Sequence, residues 1–416
     1  MKVMKHIYIV DEHQSSKQNG VGTYIRQLLK CFEGSGHEVN LLSFNSDEKQ
    51  FMIKHNRRYT EYCIPSFANG EFLTNGPLPL SILKQYIYDS HKNVFFVNHS
   101  PSDQFVRLLR RLYKDSTIVF VIHDQGWTAP LFGNVNLLRE ILKARFVPKI
   151  PRHLCRFVRE YCHKEKIMYK TVDYIICLSN CTKYLLESEY DVEDSKIIVI
   201  SNGLSNTSGQ IVDAQVEKKR KEMGIHNDEI VLFYSGRATE AKGFDELLKA
   251  FELVSECYRN LRLVIAGKVQ RLDKLTNYTP RSSSRINYLG LISKEDVLTW
   301  CQIANLTILP SYSEQCSYSG MEYLAYGKIV ITTDGYGLTE MFNDKNAIIC
   351  HLQSSSKTRT ELPSLQEQLS EKIIQYLTMN DETILRLKSE AKRTFTDKYT
   401  FESMRKNYLY FLHNIQ

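Results

Sequence analysis

The sequence predicts an α/β protein of the doubly wound type that is divided into two domains. Short apolar segments, which are typical of buried parallel strands, alternate with helical segments along the chain. The clearest repeat is a strand at Leu306–Leu309, a helical segment that ends at Gly327 and a second strand at residues 328–332. A chain of 416 residues is too long for one ordinary core, so we expect two domains of about 200 residues each.

Composition and charge are those of an ordinary globular protein. Hydrophobic residues make up 43% and charged residues 24% of the sequence. The net charge of +7 is modest for this length and by itself indicates neither a nucleic-acid nor a lipid partner. No apolar run approaches the roughly 20 residues needed to span a bilayer, and residues 1–10 resemble a first strand more than a signal peptide. The sequence therefore predicts a cytoplasmic protein.

The cysteines do not suggest a disulfide framework or a metal site. The 10 cysteines are scattered through apolar segments and form no CxxC pair, which favours reduced, buried thiols. One cluster combines cysteine with histidine: His153, Cys155, Cys162 and His163. Because its spacing fits no familiar zinc pattern, we predict no metal there.

The first domain begins with an apolar strand and a polar loop at residues 11–19. Gly20, Val21 and Gly22 then open a periodic helix that is predicted for residues 23–33. Glycines at such a turn let the backbone approach a bound group closely, and the helix N-terminus presents N–H donors. They can equally serve only the geometry of the turn, since the third glycine of a dinucleotide fingerprint is missing.

Further apolar strands are predicted at residues 39–44, 94–99 and 118–123, and the last two end in His99 and His123. The carboxyl ends of the strands are where an α/β sheet presents its functional side chains. A histidine at such a place is also commonly a hydrogen-bonded loop residue. The strand pattern alone leaves both interpretations open.

Residues 139–170 are strongly basic and contain only three acidic residues. Leu154, Phe157, Val158 and Tyr161 recur at helical spacing among the charges. The pattern fits an interfacial helix that docks on anionic lipid. It fits equally well a surface helix with a solvated face, so peripheral membrane contact stays an open alternative.

The second domain is predicted to follow a polar linker at residues 205–228, which lack a strand pattern. A buried strand at residues 230–234 leads to Arg237, and Lys242 precedes a helix at Phe244–Cys257. Two cations near a strand end, with glycines beside them, suit a diphosphate, because Arg binds bidentately and Lys supplies a point charge. Ordinary surface charge is the alternative interpretation.

The rest of the second domain continues the alternation. Strands are predicted at Leu261–Ala266 and Ile286–Gly290, and helices at residues 294–302, 365–379, 382–394 and 401–415. Ser364 and Glu367 are placed as a capping box at the start of one of these helices.

Two acidic residues flank the helix that follows the strand Leu306–Leu309. Glu314 comes after the strand, and Glu322 lies eight residues further on, roughly two helical turns away. Between them, the backbone N–H groups of Tyr318 and Ser319 lie near the positive end of the helix and suit a phosphate. Taken alone, this spacing also fits two solvated charges, one of them a capping acid.

The arrangement of Glu314, seven residues and Glu322, with Pro310 and Ser311 before it and Gly327 after it, resembles the signature of the family 4 retaining glycosyltransferases. The glycine turn, the histidine, the pair of cations and the two acids occur in the family's order over nearly the whole chain. The resemblance implies the GT-B fold, in which two Rossmann-like doubly wound domains face a central cleft. It also implies transfer of a sugar from a nucleoside-diphosphate sugar to an acceptor hydroxyl.

The resemblance further implies domain limits and residue roles. The acceptor domain would span residues 1–204, the linker 205–228 and the donor domain 229–395, with residues 396–416 packing back on the first domain. Catalytic roles fall by resemblance on His123, Arg237, Lys242 and Glu314, and donor binding on Gly20, Val21, Gly22, Leu289, Tyr318, Ser319 and Glu322. Glu322 would hold the ribose and Glu314 the donor sugar, while the backbone at Leu289 would hold the base. Because the cations neutralise the leaving diphosphate, we expect no metal and no cofactor besides the donor, a UDP- or GDP-linked sugar.

One departure from the family's pattern leaves the donor sugar open. Gln315, Cys316 and Ser317 stand where the family usually has Gly-Phe-Gly. This variant resembles a branch associated with ribosomal peptide natural-product clusters, so the implied acceptor is a glycan, a lipid-linked group or a peptide. A sugar-nucleotide epimerase of similar fold and a non-catalytic binding module are the alternatives. No nucleic-acid partner is expected, because the net positive charge is small and no group of aromatic residues that could stack on bases accompanies it.

Overall fold

The computed structural model describes residues 4–17, 19–66, 77–99, 103–144, 147–148, 150–205, 213–352 and 363–415. The chain divides into two compact units: one is Met1–Gly203 with Phe401–Gln416, and the other is Leu204–Thr400. Within the described ranges, none of the helices combines the length and the apolar character that crossing a membrane requires.

The first unit is an α/β unit with eight strands. They are β1 (His6–Glu12), β2 (Glu38–Ser46), β3 (Met52–His55), β4 (Thr60–Pro65), β5 (Asn93–Val97), β6 (Thr117–Ile122), β7 (Tyr174–Cys177) and β8 (Ile197–Val199). Its helices are α1 (His13–Ser16), α2 (Gly20–Phe32), α3 (Pro77–Leu83), α4 (Asp103–Leu112), α5 (Val135–Lys143), α6 (Arg152–Thr171) and α7 (Asn180–Glu189).

The strand order of this sheet, β3-β4-β2-β1-β5-β6-β7-β8, places its switch point between β1 and β5. Neighbouring strands are parallel except β3 and β4. Every residue of β5 and β6 is buried, as expected for central strands of a parallel sheet that helices cover on both faces. The loops after these two strands carry His99 and His123, so both histidines lie at the functional edge of the sheet.

The second unit contains a six-stranded parallel sheet. Its strands are β9 (Ile230–Ser235), β10 (Leu261–Ala266), β11 (Ile286–Gly290), β12 (Leu306–Leu309), β13 (Ile329–Thr333) and β14 (Ile348–Cys350). Its helices are α8 (Asp213–Glu222), α9 (Phe244–Cys257), α10 (Lys274–Asn277), α11 (Lys294–Ile303), α12 (Tyr318–Ala325), α13 (Leu365–Leu377) and α14 (Asp381–Lys398).

The strand order β11-β10-β9-β12-β13-β14 puts the switch point of the second sheet between β9 and β12. The core joins this sheet to α9 and α13 through fully buried side chains such as Leu232, Phe251, Ile308 and Leu369. The crevice beyond the carboxyl ends of β9 and β12 is where this class of sheet binds its ligands. It follows that Arg237 and the stretch after Pro310 lie at that edge.

The last helix, α15 (Phe401–Asn414), belongs to the first unit although it ends the chain. It packs against α2, and the hydroxyl groups of Tyr24 and Tyr408 form a buried hydrogen bond there. Lys5 Nζ also donates to the carbonyl of Ile415 at 3.4 Å.

Several predicted elements match the structure residue for residue. They are Phe244–Cys257, Leu261–Ala266, Ile286–Gly290 and Leu306–Leu309. The capping box of Ser364 and Glu367 is confirmed, because each side chain bonds to the other residue's backbone N–H.

Three boundaries differ from the sequence prediction. The predicted loop 11–19 contains the end of β1 and the short helix α1, which Glu12 caps by accepting from Ser15 N. The predicted linker 205–228 contains α8, which Arg220 anchors by donating to the carbonyl of Glu229; residues 206–212 lie outside the described part of the chain. Residues 396–398 of the predicted final segment still belong to α14.

Candidate functional site

An open cavity of about 200 Å³ lies at the switch-point edge of the second unit. Its lining residues are Ser235, Gly236, Ala266, Gly267, Leu291, Ile292, Lys294, Val297, Tyr318, Ser319 and Glu322. Leu291 and Ile292 follow β11, Val297 lies on α11 and Ala266 ends β10, while most of the polar members lie on α12. Apolar lining with a few polar groups is typical of a small-molecule site.

Glycines bring the ends of three strands together at this cavity. Gly267 has a φ of +131°, and a Cβ atom there would lie 2.0 Å from the carbonyl oxygen of Gly236. Only glycine fits such a contact. The Gly267 N–H donates to the carbonyl of Gly290 at 2.7 Å, which ties β10 to β11 at the same point. Backbone therefore forms part of the cavity wall, where a ligand can approach it closely.

The N-terminus of α12 opens at the cavity and is fixed to β9. Ser317 caps the helix, its hydroxyl accepting from Gly320 N at 3.2 Å. Ser319 Oγ donates to the carbonyl of Ser235 at 3.0 Å, and Tyr323 OH accepts from Ser235 N at 3.1 Å. Tyr318 and Ser319, in the first turn of α12, both line the cavity. The first turn of a helix has free N–H groups that suit a phosphate.

Glu322 is the acid of the cavity. It lies on α12 and is only 2% exposed, because the body of the unit surrounds it. Its carboxylate forms an ion pair with Lys294, the first residue of α11. A buried carboxylate that keeps an ionised partner remains an acceptor for ligand hydroxyl groups.

Glu314 lies outside the cavity lining and forms a second ion pair. Its Oε1 accepts from Ser311 Oγ at 2.8 Å and lies 2.7 Å from Lys242 Nζ. The Glu314 N–H donates to the carbonyl of Tyr336 at 2.9 Å. The structure thus brings together two predicted residues, Glu314 and Lys242, that the sequence had assigned to sugar and diphosphate separately.

Glycines also shape the two loops that carry this pair. Gly337 has a φ of +82°, and a Cβ atom there would lie 1.8 Å from the Glu314 carbonyl oxygen. Gly243 has a φ of +63°, and a Cβ atom there would lie 2.1 Å from the Pro310 carbonyl oxygen. Both positions exclude a side chain, so the loops of Glu314 and Lys242 pass close to neighbouring backbone.

Arg237 is the most accessible of the predicted site residues in this unit. It follows Gly236 of the cavity lining, and its exposed guanidinium has no ion-pair partner in the described part of the chain. Its carbonyl accepts from Tyr234 OH at 2.7 Å, which fixes the backbone of the turn. Leu289 is a half-buried residue of β11 outside the lining, while Leu291 and Ile292 just after it do line the cavity.

In the first unit, the glycine turn differs in detail from the prediction. Gly20, Val21 and Gly22 form the first turn of α2 itself, and the Asn19 side chain already accepts from Val21 N at 2.9 Å. A Cβ atom on Gly22 would lie 2.2 Å from the carbonyl oxygen of Ser16. Gly22 therefore has a packing role, and one of the donors expected to face a ligand is used by the cap.

His123 stands at the end of β6, beside the ring of Tyr24, with the ring centroids 4.4 Å apart. Asn98 Nδ2 donates to the carbonyl of Val10 at 3.1 Å, which leaves Asn98 Oδ1 as the acceptor for His123 Nε2 at 3.4 Å. Burial, helped by nearby His99, lowers the pKa of His123 to about 3. The imidazole is therefore neutral near pH 7, with Nδ1 left as an acceptor.

His99 is held by the backbone of the neighbouring strand. Its Nε2 accepts from Glu12 N at 3.0 Å and lies 3.5 Å from Asp11 Oδ1. These contacts fit the interpretation of a hydrogen-bonded loop residue.

Sequence reasoning missed two residues that the structure ties to these sites. Lys294 was predicted only as the start of a helix, and Glu165 only as one of three acids in a basic segment. Lys294 forms an ion pair with Glu322, and Glu165 accepts a hydrogen bond from Gly126 N. Because both partners are distant in sequence, no local sequence pattern indicates either residue. Among the described residues, His153, Cys155, Cys162 and His163 do not gather into a metal-binding group, nor does any other set of three His, Cys, Asp or Glu.

Two family models match the chain side by side. The model described as "Glycosyltransferase Family 4" matches residues 18–206, and the model described as "Glycosyl transferases group 1" matches residues 215–394. The first model covers the glycine turn and His123, and the second covers all of the predicted donor-site residues of the second unit.

Curated relatives are glycosyltransferases at modest identity. An uncharacterized glycosyltransferase of Methanocaldococcus jannaschii is 27% identical over 171 residues, which are 40% of this chain and 44% of the relative. The chain thus spans less than half the length of that relative. The alpha-monoglucosyldiacylglycerol synthase of Streptococcus pneumoniae is 25% identical over 341 residues, covering 79% of this chain and 70% of that protein.

Solved structures share the fold over almost the whole chain. The sucrose-phosphate synthase of Thermosynechococcus elongatus superposes with a TM-score of 0.75 at 16% identity and covers 97% of both chains. Anabaena HepE, solved in complex with UDP and glucose, superposes with a TM-score of 0.71 at 14% identity and covers 99% of this chain and 100% of its own. The predicted α/β class and GT-B fold are confirmed.

Proposed function

Because the chain belongs to the family 4 glycosyltransferases, we propose that it moves a sugar from a nucleoside-diphosphate sugar to an acceptor hydroxyl and retains the anomeric configuration. One observation carries the donor assignment. The cavity of the second unit combines the buried carboxylate of Glu322 with the N-terminus of α12. A carboxylate accepts hydrogen bonds from ribose hydroxyls, and a helix N-terminus suits phosphate, so the two groups match the two ends of a ribonucleotide.

The charges around the cavity support departure of a diphosphate. When the bond between the anomeric carbon and the phosphate oxygen breaks, the sugar becomes positively charged, and the electron pair of the broken bond stays on the diphosphate. Arg237 and Lys242 can stabilise that negative charge, and the nearby Glu314 carboxylate can stabilise the positive sugar. The acceptor oxygen then bonds to the anomeric carbon, and its proton passes to a diphosphate oxygen.

The same cations bear on the metal requirement. Arg237, Lys242 and the N-terminus of α12 supply the positive charge that a divalent ion gives to a leaving diphosphate in other transferases. We therefore propose that transfer needs no metal ion. His123 belongs to the first unit, and its contact with the donor sugar stays a prediction from the family resemblance.

The acceptor is proposed to be a hydroxyl group of a glycan, a lipid-linked group or a peptide. The basic segment at residues 139–170 suggests that the protein binds this acceptor at a membrane surface. The exposed residues of α6 include Arg152, Arg156 and Lys164, together with Phe157, which is 46% exposed. Such a surface suits an anionic bilayer. We propose peripheral membrane contact through α6.

Nucleotide binding to purified protein tests the donor assignment. We expect one of UDP, GDP or ADP to raise the melting temperature in the presence of EDTA, because a ligand at 100 times its dissociation constant stabilises a protein by about 2.7 kcal/mol. Arg237→Ala and Glu322→Ala should abolish the shift. Arg393→Ala, which removes an exposed arginine of α14, is the matched control and should retain it.

The outcomes test whether the donor site binds a nucleotide through the assigned residues. A shift that both site variants lose and the control keeps supports the transferase. If no nucleotide shifts the melting temperature at millimolar concentration, the assignment is wrong and a non-catalytic binding module replaces it. If the shift appears only without EDTA, metal independence is wrong.

A further inference from the structure

One cationic and one anionic side chain line the cavity of the second unit, and they pair with each other. Lys294 begins α11, where Ser293 caps the helix by accepting from Asp296 N at 3.0 Å. Glu322 lies on α12, 28 positions later in the chain, and its carboxylate meets the Lys294 ammonium. The pair therefore joins the two helices across the cavity wall.

We propose that Lys294 is a positioning residue that keeps the Glu322 carboxylate ionised and oriented to accept the 2′- and 3′-hydroxyl groups of a ribonucleotide. The inference rests on the proposed function and goes further, because it makes Lys294 the residue through which the site selects ribonucleotides over 2′-deoxyribonucleotides.

The burial of Glu322 supplies the first argument. Its side chain is only 3% exposed, and burial of a carboxylate without a partner favours the neutral acid. In the described part of the chain, Lys294 is the partner of this carboxylate, and no other cation lines the cavity. Loss of the Lys294 ammonium therefore leaves a buried acid that is no longer held in its charged form.

The chemistry of the carboxylate supplies the second argument. An ionised carboxylate has two acceptor oxygens, whereas a neutral carboxyl group donates through one of them. The Lys294 ammonium contacts Glu322 Oε1. Each carboxylate oxygen can accept more than one hydrogen bond, so Glu322 can still accept from the two neighbouring hydroxyl groups of a ribose. Two hydroxyl groups of a ribose can then donate to one carboxylate, and a 2′-deoxyribose can donate only once.

The exposure of Lys294 supplies the third argument. Its side chain is 45% exposed, so the ammonium keeps contact with water while it holds a buried partner. The free-energy cost of desolvating the lysine is therefore modest. The ion pair of Lys294 and Glu322 can thus persist whether the cavity is empty or occupied.

Calorimetric titration of the full chain with UDP, GDP and their 2′-deoxy counterparts tests the proposal. We expect the wild type to prefer the ribonucleotide by about tenfold or more, since a hydrogen bond to a charged group is lost with the 2′-hydroxyl. Lys294→Met should weaken ribonucleotide binding by a similar factor and weaken 2′-deoxyribonucleotide binding less, because a 2′-deoxyribose makes only one of the two hydrogen bonds to Glu322. Lys294→Arg should restore the preference, because it restores the charge.

Two further variants separate positioning from a merely structural role. Lys219→Met removes an ion pair between α8 and Asp296 of α11 outside the cavity, at 3.2 Å, and should leave the ribose preference intact. Glu322→Gln should reduce the preference, and Lys294→Met in the Glu322→Gln background should change it no further, because the lysine acts through the acid.

The results that overturn the proposal are distinct from failure of the proposed function. If the wild type binds no nucleoside diphosphate, the donor assignment fails. If it binds with a ribose preference but Lys294→Met weakens both sugars equally or leaves their ratio unchanged, the donor assignment stands and the positioning role of Lys294 is wrong.

Discussion

Glu165 is a buried carboxyl group beneath the loop that follows β6. It is 1% exposed, accepts from Tyr190 OH at 2.6 Å and from Gly126 N at 3.1 Å, and lies on α6. Burial raises its pKa to about 7, although both hydrogen bonds act in the opposite direction. The residue thus ties α6 and α7 to the loop that begins at His123.

The raised pKa of Glu165 predicts a pH dependence of stability. Below about pH 4.5 the group is protonated in both the folded and the unfolded chain. Between pH 4.5 and 7 the folded chain keeps the proton that the unfolded chain has lost, so the free energy of unfolding should fall by roughly 1 kcal/mol per pH unit as the pH rises. Above pH 7 both states are ionised, and the contribution no longer changes.

Glu165→Gln should remove this fall, since the amide keeps the size of the side chain and does not titrate. Chemical denaturation of wild type and variant at pH 5.0, 6.0 and 7.5 measures it. Glu160→Gln, an exposed acid of the same helix, is the control. The lowered pKa of His123 gives a contribution of opposite sign, lost as the pH falls, but it is common to all three proteins and cancels. Parallel pH profiles for Glu165→Gln and wild type would contradict the prediction.

At the residue scale, the sequence identifies candidate site residues better than it identifies the residues that form ion pairs with them. Glu314, Glu322 and His123 could be named as candidates from the sequence, because each stands at a strand end or at a fixed spacing from a helix start. The ion pairs of Glu322 with Lys294 and of Glu314 with Lys242 could not, because tertiary packing joins residues 28 and 72 positions apart. The neutral state of His123 was equally hidden, since it depends on burial beside Tyr24.

At the element scale, the basic segment is two helices and not one. Prolines at positions 148 and 151 separate α5 from α6, and Pro151 stands at the N-cap of α6, where the ring is tolerated because no preceding helical turn exists. One face of α6 is buried through Cys155, Val158 and Met168, so only the opposite face is available to a partner.

That exposed face predicts binding to anionic vesicles. The protein should sediment with vesicles of phosphatidylcholine and phosphatidylglycerol, and less so with phosphatidylcholine alone or at high salt. Replacement of Arg152, Arg156 and Lys164 by glutamine should cost about 1 kcal/mol per cation near the surface.

The matched control replaces three exposed cations of α14, Arg386, Arg393 and Lys398, by glutamine and lowers the net charge equally. If both triple variants lose vesicle binding to the same extent, net charge explains the binding and α6 is not the contact. If neither protein nor variants sediment with anionic vesicles, the proposed membrane contact is wrong.

The elements that could be predicted are those with one dominant signal. Buried strands such as Leu261–Ala266 and Leu306–Leu309 are continuous apolar runs, and the sequence places them correctly. The hairpin of β3 and β4 was missed because β3 is an edge strand with only partly buried or exposed residues, so neither a continuous nor an alternating pattern marks it.

At the scale of the whole molecule, the chain returns to complete its first unit. Tyr408 of α15 is 0% exposed. The centroid of its ring lies 6.0 Å from the ring centroid of Phe32 and 6.1 Å from that of Phe96. Its hydroxyl group is hydrogen-bonded to Tyr24. The core of the first unit therefore contains a side chain that lies far along the sequence, and this unit cannot reach its full stability without α15.

Tyr408→Ala should destabilise the first unit selectively. Loss of a large buried aromatic side chain costs about 3–5 kcal/mol, and the hydroxyl group of Tyr24 loses its partner as well. Hydrogen exchange followed by mass spectrometry should show faster exchange in α2 and β5 with little change in β9 and β12, because the second unit has its own core. Tyr410→Ala, which removes a 70% exposed ring of the same helix, should change neither. Equal loss of protection in both units would mean that they unfold as one cooperative body, and unchanged protection in α2 would mean that α15 is not part of that core.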